Sequence, residues 1–258
     1  MSEAAPQTKP ADFLRVFSVA DSTGQPALVA GGHAVNLWAL HYVSHEPALS
    51  DLGPFVSKDL DLLADQETVW QLSQLLRQQP VRPPKGDPNP VLARFEFATP
   101  SGTNTSIEVL FTVYGADPKK LKSSSVIVES QALGLRIRLP DLVSLLESKI
   151  HNVLGLDQRR RQDLKHVRVL VLCNRAFARD SLQAAEDGKI SERSLINGME
   201  ALFRVVRSEV ATQAGLSFNI DWSSAFPVPE LSSSHLPRVQ RFLERRLQPA
   251  FPQIGRRP

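Results

Sequence analysis

The sequence predicts an α+β protein: a mixed α/β core, with a mixed β-sheet flanked by helices, followed by a C-terminal helical region. Three observations predict it. Residues 24–139 consist of short apolar or alternating runs separated by turns rich in glycine and proline. At Pro140 the pattern changes to apolar residues three and four positions apart, the period of an amphipathic helix. The chain has 258 residues, 42% of them hydrophobic, enough to bury a substantial core. Residues 1–23 form an N-terminal segment ahead of the core, and residues 140–258 are expected to pack on it.

The core opens with a buried strand at Ala27 to Ala30. Gly31 and Gly32 turn the chain, and Ala34, Val35, Leu37, Trp38, His41 and Tyr42 then recur at helical spacing. The loop-like "SHEPALSDLGPFVS" leads to "KDLDLLA", whose charged and apolar positions alternate with the period of a strand. Val69, Leu72, Leu75 and Leu76 line one face of a helix over Glu67 to Gln78, which "PVRPPKGDPNP" ends because proline cannot continue it. Further strands are expected at "VLARFEFAT", "TSIEVLFTVY", "SSVIVES" and "LGLRIRLP", with Gly134 at the last connection, giving a sheet of about five strands. Beyond it, "LPDLVSLLESKIHNVLG" and "DQRRRQDLKHVRVLVLCNRAF" read as helices, as do Glu192 to Ala214 and His235 to Leu247. An irregular "SFNIDWSSAFPVPELSSS" separates the last two.

Composition excludes several classes. No apolar run approaches the ~18 residues of a membrane span, and "MSEAAPQTKPADF" lacks the basic start and apolar middle of a secretory signal, so a cytoplasmic protein with no membrane partner is expected. Cys173, the lone cysteine, has no partner for an internal disulfide and sits in an apolar run. The formal net charge is only +3. Local arginine clusters, at Arg159 to Arg161 and in the tail after Pro237, suit RNA, nucleotide or an acidic protein, and equally suit a solvated face.

The chemistry concentrates in a few residues. Asp59 and Asp61, two apart on an expected strand, would project from one face while Leu60 and Leu62 project from the other. That pattern fits a half-exposed strand, or a hard cation such as Mg²⁺ held between oxygens. A third acid, Glu108 in "SIEVLF", interrupts another apolar strand. Three acids from two strands, facing a Gly-Gly turn at the end of a third, make a site for two metal ions and a triphosphate. The turn would offer free backbone N–H groups at a helix N-terminus.

The order "VAGGHAVNLW", "SKDLDLL", "IEVLF" resembles the nucleotidyltransferase fold superfamily, which carries a glycine turn, an acid-x-acid strand and a third acid on a later strand. The segment "LPDLVSLLESKIHNVLGLDQRRRQDLKHV" is similar to the one that follows the core in minimal, AbiEii-like nucleotidyltransferases. The resemblance covers about residues 27 to 170 and implies a nucleotidyltransferase-like sheet. It implies that Asp59, Asp61 and Glu108 are catalytic and hold two magnesium ions. It implies that Gly31, Gly32, Ser57, Lys149 and Asp163 contact the nucleotide. Taken alone, Lys149 reads as a solvated helix residue, Asp163 as a helix N-terminal acid and Ser57 as a strand start. His166 and Gln162 depart from the pattern, standing where a second acid and a lysine are common. His33 either faces the nucleotide or packs against its own turn.

The reaction so implied is attack of an acceptor hydroxyl, on RNA or protein, at the α-phosphate of a nucleoside triphosphate (NTP), in the manner of a toxin held by an antitoxin partner. The alternative is a non-catalytic protein of the same fold that binds nucleotide or a partner for regulation.

Overall fold

The computed structural model describes residues 7–84, 86–130 and 134–255. Six strands form one mixed sheet: β1 (Leu28–Val29), β2 (Leu60–Leu63), β3 (Val91–Ala98), β4 (Asn104–Leu110), β5 (Val126–Ser130) and β6 (Leu135–Leu139). Their order across the sheet is β3-β4-β2-β1-β6-β5. β2 runs parallel to β4 and β1 parallel to β6, whereas β1–β2, β3–β4 and β5–β6 are antiparallel. Strands β3 and β5 lie at the edges, where Arg94, Glu96 and Glu129 reach water. The apolar β1 is buried at the centre.

The helices follow their own sequence signals. α1 (Gly31–Tyr42) leaves the glycine turn directly, and α2 (Gln66–Leu76) is capped by Asp65, which accepts from the backbone N–H groups of Glu67 and Thr68. The short α3 (Pro118–Ser123) begins at a proline behind an Asp117 cap, and α4 (Leu142–Gly155) is capped by Asp141. α5 (Asp163–Glu186) is the longest, and α6 (Glu192–Val206), α7 (Glu209–Phe218), α8 (Val228–Ser233) and α9 (Pro237–Phe242) complete the C-terminal region.

One apolar core joins these parts. Leu60, Leu62, Ile107 and Val109 of the sheet share it with Leu146 and Ile150 of α4, Val167 and Cys173 of α5, and Leu202 of α6. Polar ties at its rim fix the layers. Trp38 Nε1 donates to the Pro140 carbonyl at 3.0 Å, joining α1 to the approach of α4. The buried Glu46 carboxylate is gripped by Arg175 at 2.7 Å and Arg179 at 3.3 Å, joining the end of α1 to α5. Burial opposes ionisation of Glu46, but the two guanidinium groups hold its carboxyl below the usual range. The N-terminal segment belongs to the same core, since Phe13, Val16 and Phe17 are buried in it.

Several expectations need correction. The sheet has six strands rather than about five. Glu192 to Ala214 is two helices, broken where Ser208 leaves α6 and caps α7 by accepting from Ala211 N–H. The final helix starts at Pro237 rather than His235, and its last turn, Leu243–Leu247, is a π-turn. The stretch read as irregular contains α8, and α3 was not anticipated, because a single turn is too short to show periodicity. The arginines at 256 and 257 and the first six residues lie outside the described residues.

Phe13 is completely buried, stacks on Phe97 at 5.2 Å and meets the His33 ring edge-on. Phe13→Ala is therefore expected to cost about 3–5 kcal/mol of unfolding free energy, measured by urea denaturation. A loss below about 1 kcal/mol would show that the segment is only appended.

Candidate functional site

The sheet order brings the acids together. Parallel pairing of β2 with β4 sets Asp61 opposite Glu108 in register, and Glu108 is opposite Arg94 on the other side. β2 itself begins at Leu60, so Asp59 lies in the bend before it, and the two aspartates do not share a pleat as the sequence pattern suggested. They nevertheless line the same cavity. Asp59, Asp61 and Glu108 form part of the wall of a pocket of about 460 Å³, to which Gly31, Gly32, Ser57, Lys149 and Asp163 also contribute. All eight residues singled out from the sequence meet at this one place.

Each glycine of the turn is dictated by a neighbour. Gly31 takes a left-handed backbone (φ +62°), and a Cβ there would overlap the Asp61 carboxylate. A Cβ on Gly32 would overlap Ser57 Oγ and approach His166 Cε1 to 3.2 Å. No side chain caps α1, whose N-cap is Ala30, so the first amides of the helix carry no side-chain acceptor. An uncapped N-terminus of this kind presents N–H donors and the positive end of the helix dipole to an anion.

The N-terminal segment braces the approach to Asp59. Thr8 and Ser57 exchange backbone hydrogen bonds at 2.7 and 2.9 Å, and Thr8 Oγ1 lies 3.0 Å from His33 Nε2. Thr8 Oγ1 also donates to the Ser57 carbonyl at 2.8 Å, so the hydroxyl accepts from His33 Nε2–H. His33 is wholly buried behind the turn and takes no part in the cavity wall, which decides between its two readings. Burial, with His166 nearby, brings its pKa down to about 3 and keeps the ring neutral.

The opposite wall is a polar cluster between α4 and α5. Asp163 accepts from Lys149 at 2.9 Å, from Arg161 at 2.5 Å and from Asn152 at 3.3 Å. Burial works against its charge, but Lys149 and Arg161 hold the Asp163 carboxyl well below the usual range. Lys149 is not solvated: its side chain is 6% exposed and its ammonium is committed to Asp163. His166, also buried on the wall, has its pKa brought down to about 4, chiefly by desolvation. Both its ring nitrogens lack a partner among the described residues.

The carboxylates are in the reverse situation. Burial, then the charges of Asp59 and Glu108, push Asp61 up to about 7, while Lys149 and Arg161 oppose the shift only in part. Glu108 is raised by burial and Asp59 against the pull of Arg94, whose guanidinium is 3.7 Å away. Crowded carboxylates with raised proton affinity favour a divalent cation, and all the donors are hard oxygens. Among the described residues no three His, Cys, Asp or Glu side chains converge as a complete ligand set. Mg²⁺ does not demand one, since it is commonly held by one or two carboxylates with the rest from water and substrate phosphates. The residues present fit that mode.

Arg161, read from the sequence only as one of an arginine cluster, lines the cavity, as do Asn152 and Tyr114, which were not singled out. For Asn152 part of the signal was available: Ser148, Lys149 and Asn152 recur at helical spacing in this segment, a polar stripe on one face. Comparison of the chain with protein-family models, curated proteins and solved structures returned no match.

A carboxyl with a raised native pKa protects the fold while protonated. The contribution of Asp61 is full below the unfolded value near pH 4 and is lost as pH rises through about 7. In chelator, Asp61→Asn should therefore be more stable than wild type at pH 8, by on the order of a few kcal/mol. The difference should close near pH 4, as read by denaturant midpoints. Equal midpoints at pH 8 would show that the three carboxylates do not crowd one another. Gly31→Ala should lose at least about 1 kcal/mol from the left-handed backbone alone and should shift the apparent Asp61 titration, followed by carboxyl NMR.

Proposed function

We propose that the protein is a metal-dependent nucleotidyltransferase that moves a nucleoside monophosphate from an NTP to a hydroxyl of RNA or protein. The observation that carries this reading is the convergence of Asp59, Asp61 and Glu108 on one cavity with the uncapped N-terminus of α1. An anion-binding helix end beside crowded carboxylates suits a ligand that is itself an anion carrying cations, which is what a magnesium triphosphate is.

In this reading the Gly31 and Gly32 amides orient the phosphates at little cost in reorganisation, because the turn is already shaped by Asp61 and Ser57. Asp59 and Asp61 would hold two magnesium ions, with Glu108 completing the set on the acceptor side. Magnesium bound there would neutralise the triphosphate and lower the pKa of the acceptor hydroxyl. The acceptor oxygen bonds to the α-phosphorus, the bond to the bridging oxygen breaks and pyrophosphate leaves. The proton of the acceptor hydroxyl passes to solvent, its release eased by the magnesium that Glu108 would help to hold. Lys149 and Asp163 support the wall from within their buried pair, and Arg161 adds positive charge facing Asp61.

A second reading, a regulatory binder without turnover, draws on one observation: Lys149 is spoken for by Asp163 and is not free to meet phosphate. The two separate by incubating the protein with each α-labelled NTP, Mg²⁺ and total RNA or cell extract. Transfer of label to RNA or protein is expected, with chelator abolishing it. Asp59→Ala should lower the rate by about 10³-fold or more, since several kcal/mol of charge stabilisation are withdrawn, while circular dichroism stays unchanged. Magnesium-dependent nucleotide binding without any labelled product would favour the binder. If label goes to RNA or protein inside cells, expression should arrest growth in the manner of a toxin, and Asp59→Ala should relieve it.

A further inference from the structure

The cavity separates the members of the arginine cluster that follows α4. Arg159 is 87% exposed and pairs with Asp157, through Nε at 2.8 Å and Nη2 at 2.6 Å. Arg161 instead lines the cavity, with 42% of its side chain exposed. Its Nε donates to Asp163 Oδ2 at 2.5 Å, and the Asp163 side chain is only 2% exposed. Nε is thus turned into the wall. Nη1 and Nη2 make no hydrogen bond among the described residues, and they are the part of the guanidinium that a ligand can reach. The charge faces inward: Asp61, on β2, is influenced by Arg161 as well as by Lys149.

The second observation is the charge of the cluster as a whole. An arginine paired with a single aspartate is neutral as a pair and a poor host for an anion. Here Asp163 is held ionised, and its other oxygen, Oδ1, accepts from Lys149 Nζ at 2.9 Å and from Asn152 Nδ2 at 3.3 Å. The buried ammonium cancels the carboxylate, so the three groups keep one net positive charge, and its accessible bearer is Arg161. His166, neutral beside them, leaves that charge unchanged. Anchoring matters as well. A free surface arginine loses rotamer freedom when it grips a ligand, and the bond to Asp163 has already removed part of that freedom. Lys58, another cation of the wall, is exposed and has no hydrogen bond or ion pair among the described residues to orient its ammonium.

We propose that Arg161 is the phosphate-binding side chain of the cavity: its Nη groups donate to phosphate oxygens of the ligand, Asp163 positions the guanidinium, and Lys149 cancels the charge of Asp163. The proposal rests on the nucleotide reading of the site and deepens it. The cation expected at the phosphates, Lys149, stands behind the one that meets them. A planar guanidinium suits this task, because its N–H groups form a fork that matches two oxygens of one phosphate, which an ammonium cannot do. The Gly31 and Gly32 amides line the same cavity, so the phosphates are met by backbone donors from one wall and by Arg161 from another.

The test is calorimetric titration of the full chain with inorganic tripolyphosphate in Mg²⁺, a probe that carries the phosphates without a base or a group to transfer. Arg161→Gln should weaken binding about 10- to 150-fold, the range of a hydrogen bond to a charged group, and Arg161→Lys should recover only part of the loss. Lys58→Ala should have a smaller effect than Arg161→Gln. Asp163→Asn separates positioning from charge. It makes the cluster more positive, so a site that held phosphate by charge alone would bind more tightly, whereas loss of the anchor should weaken binding. If Asp163→Asn does not fold, the Arg161 variants decide alone, since Asp163 keeps Lys149 and Asn152 in both. Unaltered affinity in Arg161→Gln, or tighter binding by Asp163→Asn, would overturn the assignment even if the wild type transfers nucleotide. Wild type that binds as described yet yields no labelled product would leave Arg161 standing and remove the transferase. Wild type that binds no magnesium tripolyphosphate overturns both.

Discussion

Asp61 is where the constraints of this structure meet. Its carboxylate fills the space where a side chain on Gly31 would be, its strand neighbour in parallel register is Glu108, and Asp59 adds a second like charge from the preceding bend. Burying this group costs stability near neutral pH, and a fold under selection for stability alone would not keep it. It persists because β2 is clamped between β1 and β4, with Leu60 and Leu62 in the core. The hydrophobic contacts of two leucines hold an aspartate where its own electrostatics would not.

The two ionic clusters beside the cavity have opposite signs of stress. Around Asp163 the cations dominate and the carboxylate is held ionised, whereas around Asp61 the anions dominate and the proton is retained. The gradient between them runs across the cavity, from α5 to β2.

Much of this was legible in the sequence because it depends on local rules. Alternation exposed the strands, the proline-rich stretch after Gln78 marked the end of a helix, and the pairing of a glycine turn with Asp59, Asp61 and Glu108 anticipated a common site. What stayed hidden depends on tertiary placement. Nothing local to Thr8 shows that it will lock Ser57, nothing local to Lys149 shows that Asp163 will claim its ammonium, and the space for the Tyr114 phenol is left by Gly155, far along the chain. The break between α6 and α7 was missed for a related reason: the apolar period continues across Arg207 and Ser208, and only the cap geometry interrupts it.

The bridge from Thr8 to Ser57 and the ion pair from Lys149 to Asp163 place the two ends of the site's wiring more than half the chain apart. During synthesis the acids emerge early, yet the wall that faces them is completed only when the first turn of α5 has been made. A ribosome-bound or truncated product ending before Asp163 would carry every carboxylate and still lack a closed site. The closed cavity is thus a property of the finished fold and not of the acid-bearing strands alone.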